Sequence, residues 1–303
     1  MADDIPHHPV LVDEVFQYLH WREGGTYIDA TLGAGGHCEA LLGRDPHSRV
    51  LGFDVDEMAI RIAGQRLQGF GDRFQAVHSN FADIGTYLRG QGVGYVDGIL
   101  ADLGMSSMQV DSADRGFSFL REGPLDMRMD SRQARRAEDA VNHFSETVLA
   151  DLIFHYGEEH FSRRIARAIV AHRPFTGTTQ LADVVARCIR GGRKQRIHPA
   201  TRTFQALRIF VNEELDVLSR FLEEMPSLLA PGGRAVIISY HSLEDRLVKQ
   251  SFREWQKRGL ARILTAHVVT SGENEKKANP RSRSAKLRAA EKRNIECDTA
   301  VEK

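Results

Sequence analysis

The sequence predicts an α/β protein: a parallel sheet flanked by helices, interrupted by an inserted domain made only of helices. Three observations carry this. Short apolar runs alternate with helix-like segments through the first third of the chain. The alternation then stops from about residue 130 to 225, where only helical spacing persists. A single buried-strand pattern returns at 234–240. Strands alternating with helical crossovers make a parallel sheet with helices on both faces. One late strand cannot found a second sheet, so it rejoins the first. The expected division is a sheet domain over 1–129 and 226–303, discontinuous in sequence, around a helical insertion over 130–225.

The strands are predicted in order at Thr26–Leu32, Arg49–Asp56, Phe74–His78 and Val96–Leu103. Between the second and third, Ile60, Ala63 and Leu67 fall at helical spacing over 57–67. Helical patterns follow around 146–156, 158–173, 179–190 and 203–225. The turn Ala230-Pro231-Gly232-Gly233 then leads into the strand ending at Tyr240. A helix over 245–257 and a strand candidate over 261–269 come next, and from Gly272 the chain reads as a polar tail with a disordered end.

The chain has 303 residues, 42% hydrophobic and 27% charged, which is an ordinary globular composition and excludes a disordered polyelectrolyte. No apolar run reaches the ~18 residues of a membrane helix. The N-terminus lacks a signal-peptide pattern. The three cysteines, Cys38, Cys188 and Cys297, form no C-x-x-C pair, which argues against a disulfide framework or a zinc site and fits a reducing cytoplasm. No other metal-ligand spacing appears. The net charge of zero hides an asymmetry: residues 1–130 carry 10 Lys+Arg against 20 Asp+Glu, and the remainder 31 against 21. The basic half suits a polyanion.

Asp29-Ala30-Thr31-Leu32-Gly33-Ala34-Gly35-Gly36-His37 stands where the first strand turns into a helix. Glycines there let the backbone approach a ligand. Asp54, at the end of the second strand, is placed to accept from the two hydroxyls of a ribose. Such a loop serves a dinucleotide or S-adenosylmethionine. The third glycine of a dinucleotide fingerprint is replaced by Cys38, and Asp29 offers a carboxylate for an amino-acid ammonium, so S-adenosylmethionine is favoured. The fourth strand ends at Asp102, on the side of an open α/β sheet where ligands bind.

Several further segments carry a family resemblance: His8–Val15, Asp29–His37, Asp102–Ser107, Arg115–Phe119, Gly123–Met129, Tyr156–Glu159, Arg164–Ile169, His198–Ala206, Ser239–Arg246 and Asn279–Ser284. Over about residues 7–294 the chain resembles the RsmH (MraW) family of bacterial enzymes, which methylate the N4 amine of a cytidine in small-subunit (16S) ribosomal RNA. The resemblance implies a class I (Rossmann-like) S-adenosylmethionine-dependent methyltransferase domain with an inserted all-helical domain. It implies cofactor contacts from Gly35, Gly36, His37, Asp54, Phe81, Asp102 and Gln109. Phe81 also makes independent sense, as an aromatic able to stack on adenine. The implied partner is small-subunit RNA, within the assembled or assembling 30S subunit; the sequence patterns above give neither a membrane nor a metal as partner.

Methylation of an exocyclic amine needs an acceptor on its N–H and two well-placed reacting centres. Asp102 is the candidate catalytic acceptor, with cofactor binding as its alternative role. The proline pair and aromatic that follow this acid in many amine methyltransferases are missing. Phe117, Phe119 and Tyr240 are the candidate platforms for a splayed base. Between Arg187 and Asn212 there are seven basic residues and no acid. From that stretch Arg193, Lys194, Arg196, Arg202 and Arg208 are expected to contact RNA, with His198 and His241 as further site candidates. A nicotinamide oxidoreductase, a methyltransferase for a small molecule or protein, and an RNA-binding assembly factor with a vestigial cofactor site are the competing readings.

Overall fold

The computed structural model describes residues 9–189 and 197–294. The chain divides into two compact units, one of 1–104 with 215–303, the other of 105–214.

The first unit runs α1 (Val12–Leu19), β1 (Thr26–Asp29), α2 (Gly36–Leu42), β2 (Arg49–Asp54), α3 (Glu57–Leu67), β3 (Phe74–His78), α4 (Ile84–Gly90) and β4 (Val96–Asp102). The second contains α5 (Ser107–Asp111), α6 (Ala137–His143), α7 (Glu146–Gly157), α8 (Ser162–Ala171), α9 (Thr178–Ile189) and α10 (Thr201–Asn212). The chain then returns to the first unit through α11 (Glu214–Leu228), β5 (Leu229–Ser239), α12 (Ser242–Lys257), β6 (Ala261–Ile263), α13 (Glu273–Ala278) and β7 (Lys286–Lys292).

The strands form one seven-stranded sheet in the order β3-β2-β1-β4-β5-β7-β6. The first five are parallel, and β7 runs antiparallel to both β5 and β6. Parallel strands are buried on both faces, which explains their continuous apolar runs. Ile28, Phe53, Ile99, Ala101, Ala235 and Ile237 pack on one face with α11, α4 and α12, while Tyr27, Val50, Leu100, Val236 and Ile238 pack on the other with α1 and α2. Strand order reverses between β1 and β4, so the crevice beyond Asp29 and Asp102 is the switch point at which such sheets take ligands.

Several boundaries differ from expectation. The second unit begins at Met105 and ends at Glu214, not at 130 and 225. The reason is packing: Phe117, Leu125 and Met127 enter the helical core with Phe204 and Leu207, whereas Leu218, Phe221, Leu222 and Met225 of α11 cover the sheet. The pattern over 203–225 is two helices, broken at Glu213 in the left-handed region (φ 51°). The Ala230–Gly233 turn is a register irregularity within β5, where Val96 pairs with Leu229 and Gly98 with Arg234. Strand β6 stops at Ile263, and Val269 contributes only a bridge to Leu287. The tail is the largest correction, because Lys286–Lys292 is the strand that joins β5 to β6. The end of the tail lies outside the described residues.

Candidate active site

The glycine loop is built from beneath. Asp29 is 1% exposed; its Oδ1 accepts from Thr31 N at 3.1 Å and its Oδ2 from Cys38 Sγ at 3.3 Å. Burial pushes the Asp29 carboxyl above its ordinary range, and burial with the Asp29 charge pushes the Cys38 thiol well up. Asp29 therefore organises the loop from inside, and both its oxygens are engaged there. Gly35 sits at φ 77°, and a Cβ on it would lie 2.8 Å from Leu67 Cδ1, so two independent constraints demand glycine. A Cβ on Gly36 would come within 3.2 Å of Pro9, which packs on the loop from outside.

Asp54 closes the loop's other side. Its Oδ2 accepts from Gly33 N at 2.8 Å and its Oδ1 from Asp56 N at 2.9 Å. Burial outweighs these hydrogen bonds and lifts its pKa to about 6. Each carboxylate oxygen retains a second lone pair for an incoming hydroxyl. Phe81 starts the turn after β3, partly buried, its ring centroid 5.1 Å from that of Phe221.

The third group gathers at the end of β4. Asp102 donates its N–H to Thr31 Oγ1 at 2.6 Å, which ties β4 to the loop. Its Oδ1 accepts from Tyr240 Oη at 2.7 Å, and its Oδ2 lies 3.5 Å from Nε2 of His37. The His37 ring is 7% exposed, and neither of its nitrogens has a hydrogen-bond partner among the described residues. Burial disfavours its charged form, but Asp102, Asp29 and Glu275 together outweigh burial and raise its pKa. Tyr240 also stands here, its hydroxyl on Asp102. Glu275 is a residue that sequence reasoning missed. It accepts from Leu11 N at 2.8 Å and raises the pKa of both His37 and Tyr240. No spacing signal links it to the loop, because only the fold of the tail brings it there.

Gly35, Gly36, His37, Asp54 and Asp102 thus come together in the first unit. Gln109 belongs to the second, where its Oε1 accepts from Ser106 N at 3.1 Å in the capping box of α5. Phe117 is a core residue of that unit; the Phe119 ring is tilted against His198 (centroids 4.6 Å) and meets Phe204 edge-on (4.9 Å). Arg193, Lys194 and Arg196 lie outside the described residues. Arg202 is half-exposed and donates to Glu158 O at 3.1 Å. Arg208 overturns its expected role. It is 8% exposed and locked onto Glu214 by two hydrogen bonds of 2.7 and 2.8 Å, because its place on α10 faces the core. His241 is the N-cap of α12, its Nδ1 accepting from Glu244 N at 3.4 Å and its Nε2 3.1 Å from Glu244 Oε1.

A parallel sheet closed by an antiparallel seventh strand, with carboxylates at its switch point and a glycine loop between them, defines a Rossmann-like methyltransferase fold. The chain belongs to the MraW methylase family, whose model matches residues 4–293. Ribosomal RNA small subunit methyltransferase H of Dehalococcoides mccartyi is 49% identical over 305 residues, covering 95% of this chain and 87% of that protein. The protein of the same name from a Cyanothece species is 50% identical over 286 residues, 94% of each chain. Among solved structures, an rRNA methylase from Streptococcus thermophilus aligns with a TM-score of 0.44 at 12% identity, covering 93% of this chain and 94% of that one.

Proposed function

We propose that this protein transfers a methyl group from S-adenosylmethionine to the N4 amine of a cytidine in small-subunit (16S) ribosomal RNA. Support for the RNA substrate comes from the names of relatives that match nearly the whole chain at about half identity. The observation that carries the chemistry is Asp102, fixed at the switch point with one oxygen committed to Tyr240 and the other facing the crevice at His37.

The residues present fit the cofactor. Gly35 and Gly36 leave backbone open, Asp54 has acceptor capacity left for the two ribose hydroxyls, and Phe81 offers a ring face to adenine. His37 supplies a buried polar ring without a hydrogen-bond partner among the described residues. When bound, S-adenosylmethionine supplies an electrophilic methyl group on a sulfonium sulfur. The cytosine amine is a weak nucleophile because its lone pair is shared with the ring. Asp102 Oδ2, accepting from the amine N–H, draws that lone pair out of conjugation, stabilises the positive charge that develops on the nitrogen as the methyl arrives, and is placed to receive the proton the methylated nitrogen then sheds. The helical unit 105–214 recognises the RNA through its basic residues, Arg202 and the segment holding Arg193, Lys194 and Arg196 among them.

The test is methylation of naked rRNA and of isolated small subunits, with the product mapped by mass spectrometry. N4-methylcytidine at one position, formed on the assembled or assembling subunit, is the expected result. Methylation of another base, or none on either substrate, would overturn the reading.

A further inference from the structure

Tyr240 is held on three sides. It follows the last residue of β5, whose end is joined to that of β4 by Leu103 N donating to Ile238 O at 2.9 Å. Its own N–H donates to Oε2 of the buried Glu244 at 2.9 Å, which anchors it to the start of α12. Its ring lies over Gly104, which sits at φ 103° and where a Cβ would come 3.2 Å from Tyr240 Cδ2. Its hydroxyl donates to Asp102 Oδ1 at 2.7 Å. A ring fixed by backbone, face and hydroxyl cannot follow a carboxylate that turns. Asp102 must therefore keep Oδ1 toward Tyr240, and Oδ2 is the oxygen left beside His37, 3.5 Å from Nε2.

We infer that Tyr240 is a positioning residue, which acts through Asp102 by engaging one carboxylate oxygen so that the other is presented in a single orientation to the ligands of the crevice. The inference rests on the reading of this crevice as the cofactor site. Burial, and then the charge of Asp102, push the ionisation of Tyr240 far up, so the hydroxyl remains a donor throughout the working pH range. A hydrogen bond to an ionised acceptor is also among the stronger kinds, which suits a fixed rather than fluctuating carboxylate.

The test is Tyr240→Phe, which keeps the ring and its packing, with thermal unfolding to confirm the fold. One arm uses the cofactor-free protein and follows the titration of His37 by NMR. Among the described residues, the carboxylates facing that ring are Asp102, Asp29 and Glu275. If Tyr240 holds Asp102 in place, its hydroxyl's loss lets the carboxylate turn away and the His37 pKa falls; an unchanged or higher value would show that Asp102 is held without it. The second arm measures S-adenosylhomocysteine affinity by calorimetry in a double-mutant cycle. Tyr240→Phe is expected to cost about tenfold in the native background and less than about twofold beside Asp102→Ala. An equal loss in both backgrounds overturns the inference. A native protein that binds no S-adenosylhomocysteine would refute the cofactor reading instead, while the NMR arm still decides what Tyr240 does.

Discussion

Both oxygens of Asp54 accept a backbone N–H before any ligand arrives, yet burial still lifts its carboxyl to about 6 from an ordinary 3.8. The folded value lies above the unfolded one. The protonated carboxyl therefore favours the fold below its ordinary pKa, and that contribution is lost as pH rises through about 6. Cofactor binding runs the other way, because ribose hydroxyls need the ionised acceptor. Affinity for S-adenosylhomocysteine should fall as pH is lowered through about 6, by up to about tenfold per unit, with this dependence absent from Asp54→Asn; calorimetry across pH 5–8 checks it. Asp102→Asn separates two roles of a second acid while preserving its size. Loss of turnover at unchanged cofactor affinity marks an acceptor whose interaction strengthens in the transition state, and loss of affinity with turnover recovered at saturation marks a cofactor ligand. The expected result is a mixture weighted toward affinity, since Oδ2 sits beside the loop histidine. Single-turnover kinetics with calorimetry distinguish the two.

Arg208 and His241, both site candidates in the sequence, are built into an ion pair and a helix end, and their substitution should be felt in stability. His241→Ala removes the α12 cap and should cost about 1 kcal/mol on thermal unfolding, with RNA affinity unchanged. Arg208→Met strands the largely buried carboxylate of Glu214 and should cost about 3 kcal/mol, the lower end of the penalty for halving a buried pair. Denaturant unfolding of the two variants measures both. The same confusion of charge with exposure explains what was legible in the sequence. Strands β1 to β4 and the glycine loop were readable because parallel strands need unbroken apolar runs and a strand-to-helix turn needs glycine. Strand β7 was not, because Lys286, Arg288, Glu291 and Lys292 outnumber its apolar residues and read as a tail. Those charges are satisfied by partners distant in sequence: Arg288 on Asp245 at 2.7 Å, Glu291 between Arg234 and Arg262, and Lys292 on Leu229 O at 2.6 Å. Leu287, Ala289 and Ala290 meanwhile fill the sheet core. Glu275 was hidden for the same reason, since its contacts exist only after the tail has folded.

On the scale of the molecule, part of the tail's charge is engaged inside the sheet unit: Lys286 and Arg288 share Asp245, Lys276 pairs with Glu273, and Glu291 neutralises Arg234 and Arg262. The segment between Arg187 and Arg202 keeps its excess of base in sequence and carries the RNA prediction. Neutralising Arg193, Lys194 and Arg196 together should weaken RNA binding and lower the logarithmic salt slope by about 0.7–0.9 per lost phosphate contact. S-adenosylhomocysteine affinity should not change. Filter binding at several salt concentrations checks the slope, and an unchanged slope would place these residues off the RNA. The late position of β7 bears on how the chain is made. Synthesis proceeds from the N-terminus, so β5 is complete at Ser239 while the strand that covers its outer edge is finished only at Lys292. At ~5–20 residues per second, that leaves the edge open for roughly three to ten seconds on the ribosome. An open strand edge is a template on which neighbouring nascent chains can pair. The outer edge of β5 is therefore open to such pairing during translation, and closing it falls to β7, the last strand among the described residues.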